Sequence, residues 1–506
     1  MKREMGTRFA LMALLSCGGA APLPAPPSSP PPIASWPTPA SVPEVHTTPD
    51  APFRQNAPAP GPAITWTPPK IESWTLADGV RVLFVERHDM PIVSVRVVTR
   101  GGAGDATGML PGAVSFMGSM LEQGAGKRTA LALSDDYETL GAEHGASCDW
   151  DSCVVYVKVL TSRLQPALDA LADVALRPTF PDAEVDRVQR RWVAAIQQEK
   201  SSPPTMQQNT LAAVLYGRAH PYGHTLAHDV EKLKRADVDR AYHALFVPRG
   251  ATIAIAGDVS RHDLEALLQS RFGAWPPGAP ATRPVPPPPA RAPKSPQLVV
   301  VDVPGAAQSQ VYVAQPGVPL STPDRIPLSV MNAILGGMFS SRINLDLREE
   351  HAYTYGAFSR FSMRHGAGPF VAGGAIFADH TADAVRELLK QVMRIQQEPV
   401  TAAELADAKE NARLALPARF ERLDDVTGSL QDLAVYDLPL DEYATRAARI
   451  DAVTAADVQR VAKQWLHPDA MRVIVTGDRA KIDASLQALG LANGEELRDA
   501  YGEIVK

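Results

Sequence analysis

Apolar and polar positions alternate along residues 92–99, the two-residue period of a β-strand, and the apolar runs at 80–85, broken only by Arg81, and from Cys153 to Leu160, broken by Lys158, read as strands as well. Over 131–141, 164–176 and 183–199 the apolar residues instead recur every three or four positions, which predicts helices, the last of them the longest. The β-branched runs Ala251–Ala256 and Met471–Thr476 predict two further strands. Strands come in pairs with helices grouped between them, an α+β pattern and not strict strand–helix alternation.

The pattern also repeats. Ala236-Asp237-Val238-x-Arg240 returns as Ala456-Asp457-Val458-x-Arg460, Pro248 as Pro468, Gly257-Asp258 as Gly477-Asp478 and Glu184 as Glu404, each at an offset of 220 residues. Each copy closes with a helix, a Pro-containing turn, a β-branched strand, Gly-Asp and another helix. The sequence therefore divides into two homologous halves, residues 70–275 and 297–506, joined by a proline-rich linker over 276–296.

Composition adds the two ends of the picture. The 506 residues exceed one ordinary core, and 45% hydrophobic with 21% charged residues is the balance of a globular protein. A net charge of −6 without a basic stripe argues against nucleic acid as the main partner. Residues 1–17 carry a positive start, the apolar run Phe9–Leu15 and Ser16-Cys17, the order of a secretory signal. Leu14-Leu15-Ser16-Cys17 resembles a bacterial lipobox, which implies lipidation of Cys17, a lipid as the only membrane attachment, and placement in the cell envelope. Gly18 and Gly19 after it bear no acidic retention signal, which points to the periplasmic face of the outer membrane. Residues 18–69, rich in Pro, Ala and Ser, read as an extended tether. Cys148 and Cys153, five apart along one expected strand, should point to opposite faces, which disfavours a bond between them unless a bulge or turn intervenes.

The chemistry centres on Pro111-Gly-Ala-Val-Ser-Phe-Met-Gly-Ser-Met-Leu121, a helix with Pro in its first turn and Ala113, Phe116, Met117, Met120 and Leu121 on one face. This stretch resembles the zinc helix of insulinase-like (pitrilysin, mitochondrial processing peptidase-like; inverzincin) metallopeptidases, Gly-x-Ala-His-x-x-Glu-His-Met-Leu. In those enzymes the two His bind zinc and the Glu activates water. Here Ser115 and Ser119 stand at the His positions and Gly118 at the Glu position, so the resemblance implies a degenerate zinc site and no metal in this chain. A third ligand, a Glu, is implied on the 183–199 helix. Gln197 or Gln198 takes its place there, or Glu199 with a one-residue shift.

The second half keeps the motif that the same family carries there. Leu347-Arg348-Glu349-Glu350-His351-Ala352-Tyr353-Thr354-Tyr355-Gly356 resembles the signature in which an Arg and a Tyr seven residues later hold the substrate's carbonyl region near the zinc. Arg348 and Tyr355, with Tyr353, are thus the implied substrate contacts; the bland reading is that Arg348 pairs with Glu349 and the tyrosines pack. His220, His224 and His228, four apart, would line one face of a regular helix and could bind metal, but Pro221 and Gly223 argue against that helix. The resemblance spans roughly residues 70–500 and implies two α/β-roll domains closing like a clamshell on a peptide. It implies a non-catalytic subunit beside a partner chain that bears His-x-x-Glu-His and the zinc. The alternative is a peptide-binding or scaffold protein of the same fold with no catalytic partner.

Overall fold

The computed structural model describes residues 66–105, 108–223, 229–278, 285–288, 298–491 and 494–505. The signal sequence, Cys17, nearly all of the tether, His224 and His228 lie outside them. Among the described residues no helix is long and apolar enough to cross a membrane.

Two six-stranded sheets carry the architecture. The first contains Glu72–Thr75 (β1), Arg81–Glu86 (β2), Ile92–Arg100 (β3), Glu143–Cys148 (β4), Ser152–Leu160 (β5) and Ala251–Gly257 (β6), in the order β1-β2-β6-β3-β5-β4. The second contains Leu298–Asp302 (β7), Gln308–Pro316 (β8), Ala357–Phe361 (β9), Pro369–Phe377 (β10), Arg472–Gly477 (β11) and Glu495–Arg498 (β12), in the order β9-β10-β8-β11-β7-β12. In both sheets antiparallel hairpins are joined by one long-range strand, β6 parallel to β2 and β11 parallel to β7. The result is the expected α+β class, with both halves built alike.

Helices flank each sheet: Ala113–Met120 (α1), Ala130–Leu140 (α2), Leu164–Leu176 (α3), Asp182–Glu199 (α4), Pro203–Tyr216 (α5), Arg235–Leu245 (α6) and Arg261–Phe272 (α7) in the first half. The second half has Arg325–Asn332 (α8), Thr381–Gln397 (α9), Ala402–Ala418 (α10), Leu423–Val435 (α11), Glu442–Asp451 (α12), Ala455–Trp465 (α13) and Arg479–Gln487 (α14). Local sequence sets their ends. Thr129 accepts from Ala132 N to cap α2, and Gly141 takes the left-handed conformation (φ 62°) that closes it. Thr401 and Glu404 form a reciprocal capping box on α10.

The unbroken apolar run at 82–85 has a structural reason: both faces of the first sheet are covered. Val82, Phe84, Val95 and Val97 face a core with Met117, Leu168 and Leu171 of the same half. Leu83, Val85, Ala254 and Ala256 face the other way, against Val426, Leu430 and Leu433 of α11 from the second half. The reverse also holds: Leu211, Leu215 and Tyr216 of α5, in the first half, pack on Val299, Tyr312 and Ile474 of the second sheet. The helices α5 and α11 begin 220 residues apart, at Pro203 and Leu423, so each copy lends the same helix to the other's sheet. Each fully buried leucine in these seams contributes about 2 kcal/mol, and polar bonds fix the register: Gln207 donates to the Ile474 carbonyl at 2.8 Å and accepts from Thr476 at 2.6 Å.

The prediction for Cys148 and Cys153 is corrected. They form a disulfide. The single strand expected across them is two strands, β4 and β5, folded back over Asp149-Trp150-Asp151. Asp149 Oδ1 accepts from the amides of Asp151 (2.8 Å) and Ser152 (2.7 Å), which closes the turn. Cys148 and Cys153 then sit directly opposite one another in the antiparallel register, on the same face.

Candidate functional site

Helix α1 starts at Ala113 after Gly112, whose φ of 83° suits glycine, and its start has no side-chain cap. Phe116, Met117 and Met120 turn into the core, which leaves Ser115 and Ser119 half-buried on the other side. Ser119 Oγ turns back to the Ser115 carbonyl at 3.4 Å, an i−4 bond within the helix. Gly118 is pressed against the hairpin: a side-chain carbon there would stand 2.8 Å from Cys148 N and 3.0 Å from its Sγ. The position at which a general base would extend is therefore filled by the disulfide-bonded end of β4. Two hydroxyls and a glycine supply none of the nitrogen, sulfur or carboxylate donors that zinc needs, so the helix does not fit the metal. Gln197 and Gln198 are exposed, while Glu199 accepts from Asn209 Nδ2 at 3.0 Å, so Glu199 is the one of the three that faces the interior.

Beside α1, between the two halves, lies a cavity of about 380 Å³ whose lining includes Val114, Ser115, Trp150 and Tyr222 from the first half and Arg364 and Pro369 from the second. Next to the lining residue Trp150, at the hairpin tip, Asp151 is buried, 2% exposed. Asp151 Oδ2 accepts from Tyr436 OH at 2.9 Å and from His365 N at 3.1 Å, and Oδ1 from Tyr222 OH at 3.4 Å. Gly366 N donates in turn to Tyr222 OH at 3.1 Å, and His365 Nε2 to the Val435 carbonyl at 2.9 Å. Burial and the Asp151 charge raise the pKa of Tyr436, which fixes the tyrosine as donor.

The residues expected to touch substrate lie elsewhere on the second half. Arg348 covers the ring of Phe339 at 4.4 Å and pairs with Glu349 at 3.5 Å. Tyr355 is 82% exposed, with its ring edge-on to Phe377 at 5.7 Å. Tyr353 is stacked between His351 (4.9 Å) and His380 (4.5 Å). None of the three lines the cavity beside Ser115. His220 is spent structurally: Nε2 donates to the Pro286 carbonyl at 2.8 Å and Nδ1 accepts from Tyr222 N at 3.0 Å. Among the described residues, Asp346, His351 and Glu387 form the one group whose ligand atoms gather closely enough to hold a cation, all within 4.8 Å of one another.

Sequence reasoning passed over Asp151, Trp150, Tyr222 and Arg364. The signal for the first two was present, since Asp-Trp-Asp between two cysteines is turn-forming and places both at a hairpin tip. Nothing local marks Tyr222 or Arg364, which meet only through the packing of the two halves.

Comparison with known proteins agrees with this arrangement. Residues 81–228 match the family model described as insulinase (peptidase family M16), and residues 232–412 match the one described as peptidase M16 inactive domain. The crystal structure of a peptidase M16 inactive domain from Pseudomonas fluorescens superposes with a TM-score of 0.73 at 27% identity, over 80% of this chain and 98% of that one. The chain belongs to the M16, insulinase-like peptidase family, as a member whose zinc helix lacks its ligands. Among its relatives are an uncharacterized zinc protease of Bacillus subtilis, 22% identical over 77% of this chain and 94% of that protein. Another is a probable mitochondrial-processing peptidase subunit beta of Arabidopsis thaliana, 23% identical over 81% and 78% respectively.

Proposed function

We propose that this chain is the non-catalytic, substrate-contacting subunit of a two-chain zinc metallopeptidase that cleaves peptides in the bacterial envelope. The observation that carries the reading is the asymmetry between its motifs. The zinc helix has lost every ligand and is closed off by Cys148 against Gly118, while Arg348 and Tyr355 keep their spacing, and Tyr355 stands open to solvent. In this reading the partner chain, bearing His-x-x-Glu-His, holds the zinc and activates water. Arg348 and Tyr355 orient the peptide and donate to charge that develops on its carbonyl. Lipid at Cys17 would hold the pair at the periplasmic face of the outer membrane. The outer strand β4, which ends the first sheet, offers an edge on which an extended peptide can add.

The test mixes the purified chain with a His-x-x-Glu-His-bearing homologue from the same genome and follows hydrolysis of an unstructured peptide. Neither this chain alone nor the mixture with R348A should turn over substrate as the native mixture does. Turnover by this chain alone, or a native mixture no faster than the homologue by itself, would overturn the reading. A second reading, a peptide-binding protein of this fold with no catalytic partner, is favoured by the Asp151 contacts that tie the two halves together. It predicts binding without turnover in every pairing.

A further inference from the structure

Arg364 is a partly buried cation with no ion pair among the described residues. Its guanidinium lies against the rings of Trp150 at 4.6 Å and Tyr222 at 4.8 Å. Burial lowers its pKa, and among the described residues no carboxylate comes within ion-pair distance of it. Asp151 spends its oxygens on Tyr436, Tyr222 and the His365 amide. The two rings offset part of the desolvation cost, and Arg364 lines the cavity with no side-chain hydrogen bond of its own among the described residues.

A second set of donors faces the same space. At the start of α1, Ala113 N bonds to the Leu110 carbonyl and Phe116 N to that of Gly112. Val114 N and Ser115 N have no acceptor among the described residues, and both residues line the cavity. Acceptors stand on another wall. Gln208 and Asn209 line it; Gln208 gives its amide N–H to Tyr312 at 3.0 Å and Asn209 its own to Glu199 at 3.0 Å and to the Ala500 carbonyl at 3.5 Å, and neither side-chain carbonyl has a donor among the described residues. Leu110 and Leu211 supply apolar lining. Asp149 also lines the cavity, but its Oδ1 is held by the turn amides.

We propose that this cavity binds the C-terminal carboxylate of a peptide. Arg364 and the first-turn amides of α1 take the carboxylate, Gln208 and Asn209 accept from the last peptide N–H groups, and the last side chain lies against Leu110 and Leu211. A bidentate fork beside two N–H groups matches the two oxygens of a carboxylate. A volume of about 380 Å³ admits a residue or two, and so a chain end and not a chain passing through. The inference rests on the reading that the cleft receives peptide, and it assigns which end of the peptide enters the erased metal site.

The test is calorimetric titration of the full chain, without any partner, with Ala-Ala-Leu-Phe as the free acid, with the same peptide as its C-terminal amide, and with acetate. The free acid is expected to bind at least about tenfold more tightly than the amide. R364Q should abolish that preference, and R364K, which keeps the charge and loses the fork, should retain part of it. Equal affinity for acid and amide, or no binding of either, overturns the proposal, as does an unchanged preference in folded R364Q. Acetate binding as tightly as the peptide overturns the assignment to a peptide end in favour of a small carboxylate. If R364Q does not fold, the acid and amide comparison on the native chain decides. No step reads turnover, so failure of the two-chain reading in the mixing experiment leaves this result standing.

Discussion

Tyr436 donates its hydroxyl to Asp151 at 2.9 Å, and through that bond the second half grips the tip of a hairpin from the first. Asp151 is buried, and its remaining partners are the Tyr222 hydroxyl, the His365 amide and the His365 ring, whose Nδ1 stands 3.6 Å from Oδ1. Loss of the phenol leaves a buried carboxylate short of a bond, so Y436F is expected to lower stability by about 2 kcal/mol. Chemical denaturation of native and variant chains measures it, and coincidence of the two curves would mean that the contact contributes nothing.

Gly118 meets the Cys148 backbone where any larger residue would collide. G118A is expected to destabilise by about 2 kcal/mol through overpacking. The triple change S115H/G118E/S119H, which writes the zinc motif back, should neither bind zinc stoichiometrically nor hydrolyse peptide, because the hairpin occupies the base's space. Metal analysis and a peptide assay on the triple variant check this.

The Cys148–Cys153 bond closes a short loop, so its effect on the unfolded chain is modest. C148S/C153S is expected to lose about 2 kcal/mol and to remain folded. Peptide mapping without reduction should recover residues 148 and 153 in one linked fragment.

Arg342 holds Glu404 through two bonds, at 2.6 and 3.1 Å. With the Thr401 amide they bring the Glu404 carboxyl down to about 2 from an ordinary 4.5. A carboxyl depressed on folding adds stability that is fully present above its unfolded pKa and fades as pH falls from 4.5 towards 2. E404Q should therefore cost about 2 kcal/mol at neutral pH and show a shallower acid limb over that interval. A denaturation series against pH would expose the alternative, an acid limb identical to that of the native chain.

The same pairs show what a linear sequence conveys. The helices at 164–176 and 183–199 and the strands at 92–99 and 251–256 were legible because each buries at least one stripe against its own half, Val93, Val95 and Val97 on one strand and Ile253 and Ile255 on the other. The apolar run at 80–85 gave a strand but not its surroundings: Leu83 and Val85 are as buried as Val82 and Phe84, their cover arriving from α11 more than 300 residues away. The loss of zinc ligands could be read directly from Ser115, Gly118 and Ser119. The plug over Gly118 could not, because it depends on a turn at Asp149-Trp150-Asp151 that converts one expected strand into a hairpin. Arg364 carried no motif at all; its meaning comes from the rings of Trp150 and Tyr222, brought to it by tertiary packing.

The reciprocal loan of α5 and α11 bears on how such a chain could have arisen. Each sheet has one face roofed by its own helices and the other by a helix of the opposite copy. A single-copy ancestor with this geometry would have left a row of valines, leucines and isoleucines in water as a monomer, and its smallest soluble form would have been a pair of identical chains. Joining two such copies in one chain turns an association dependent on concentration into an intramolecular one.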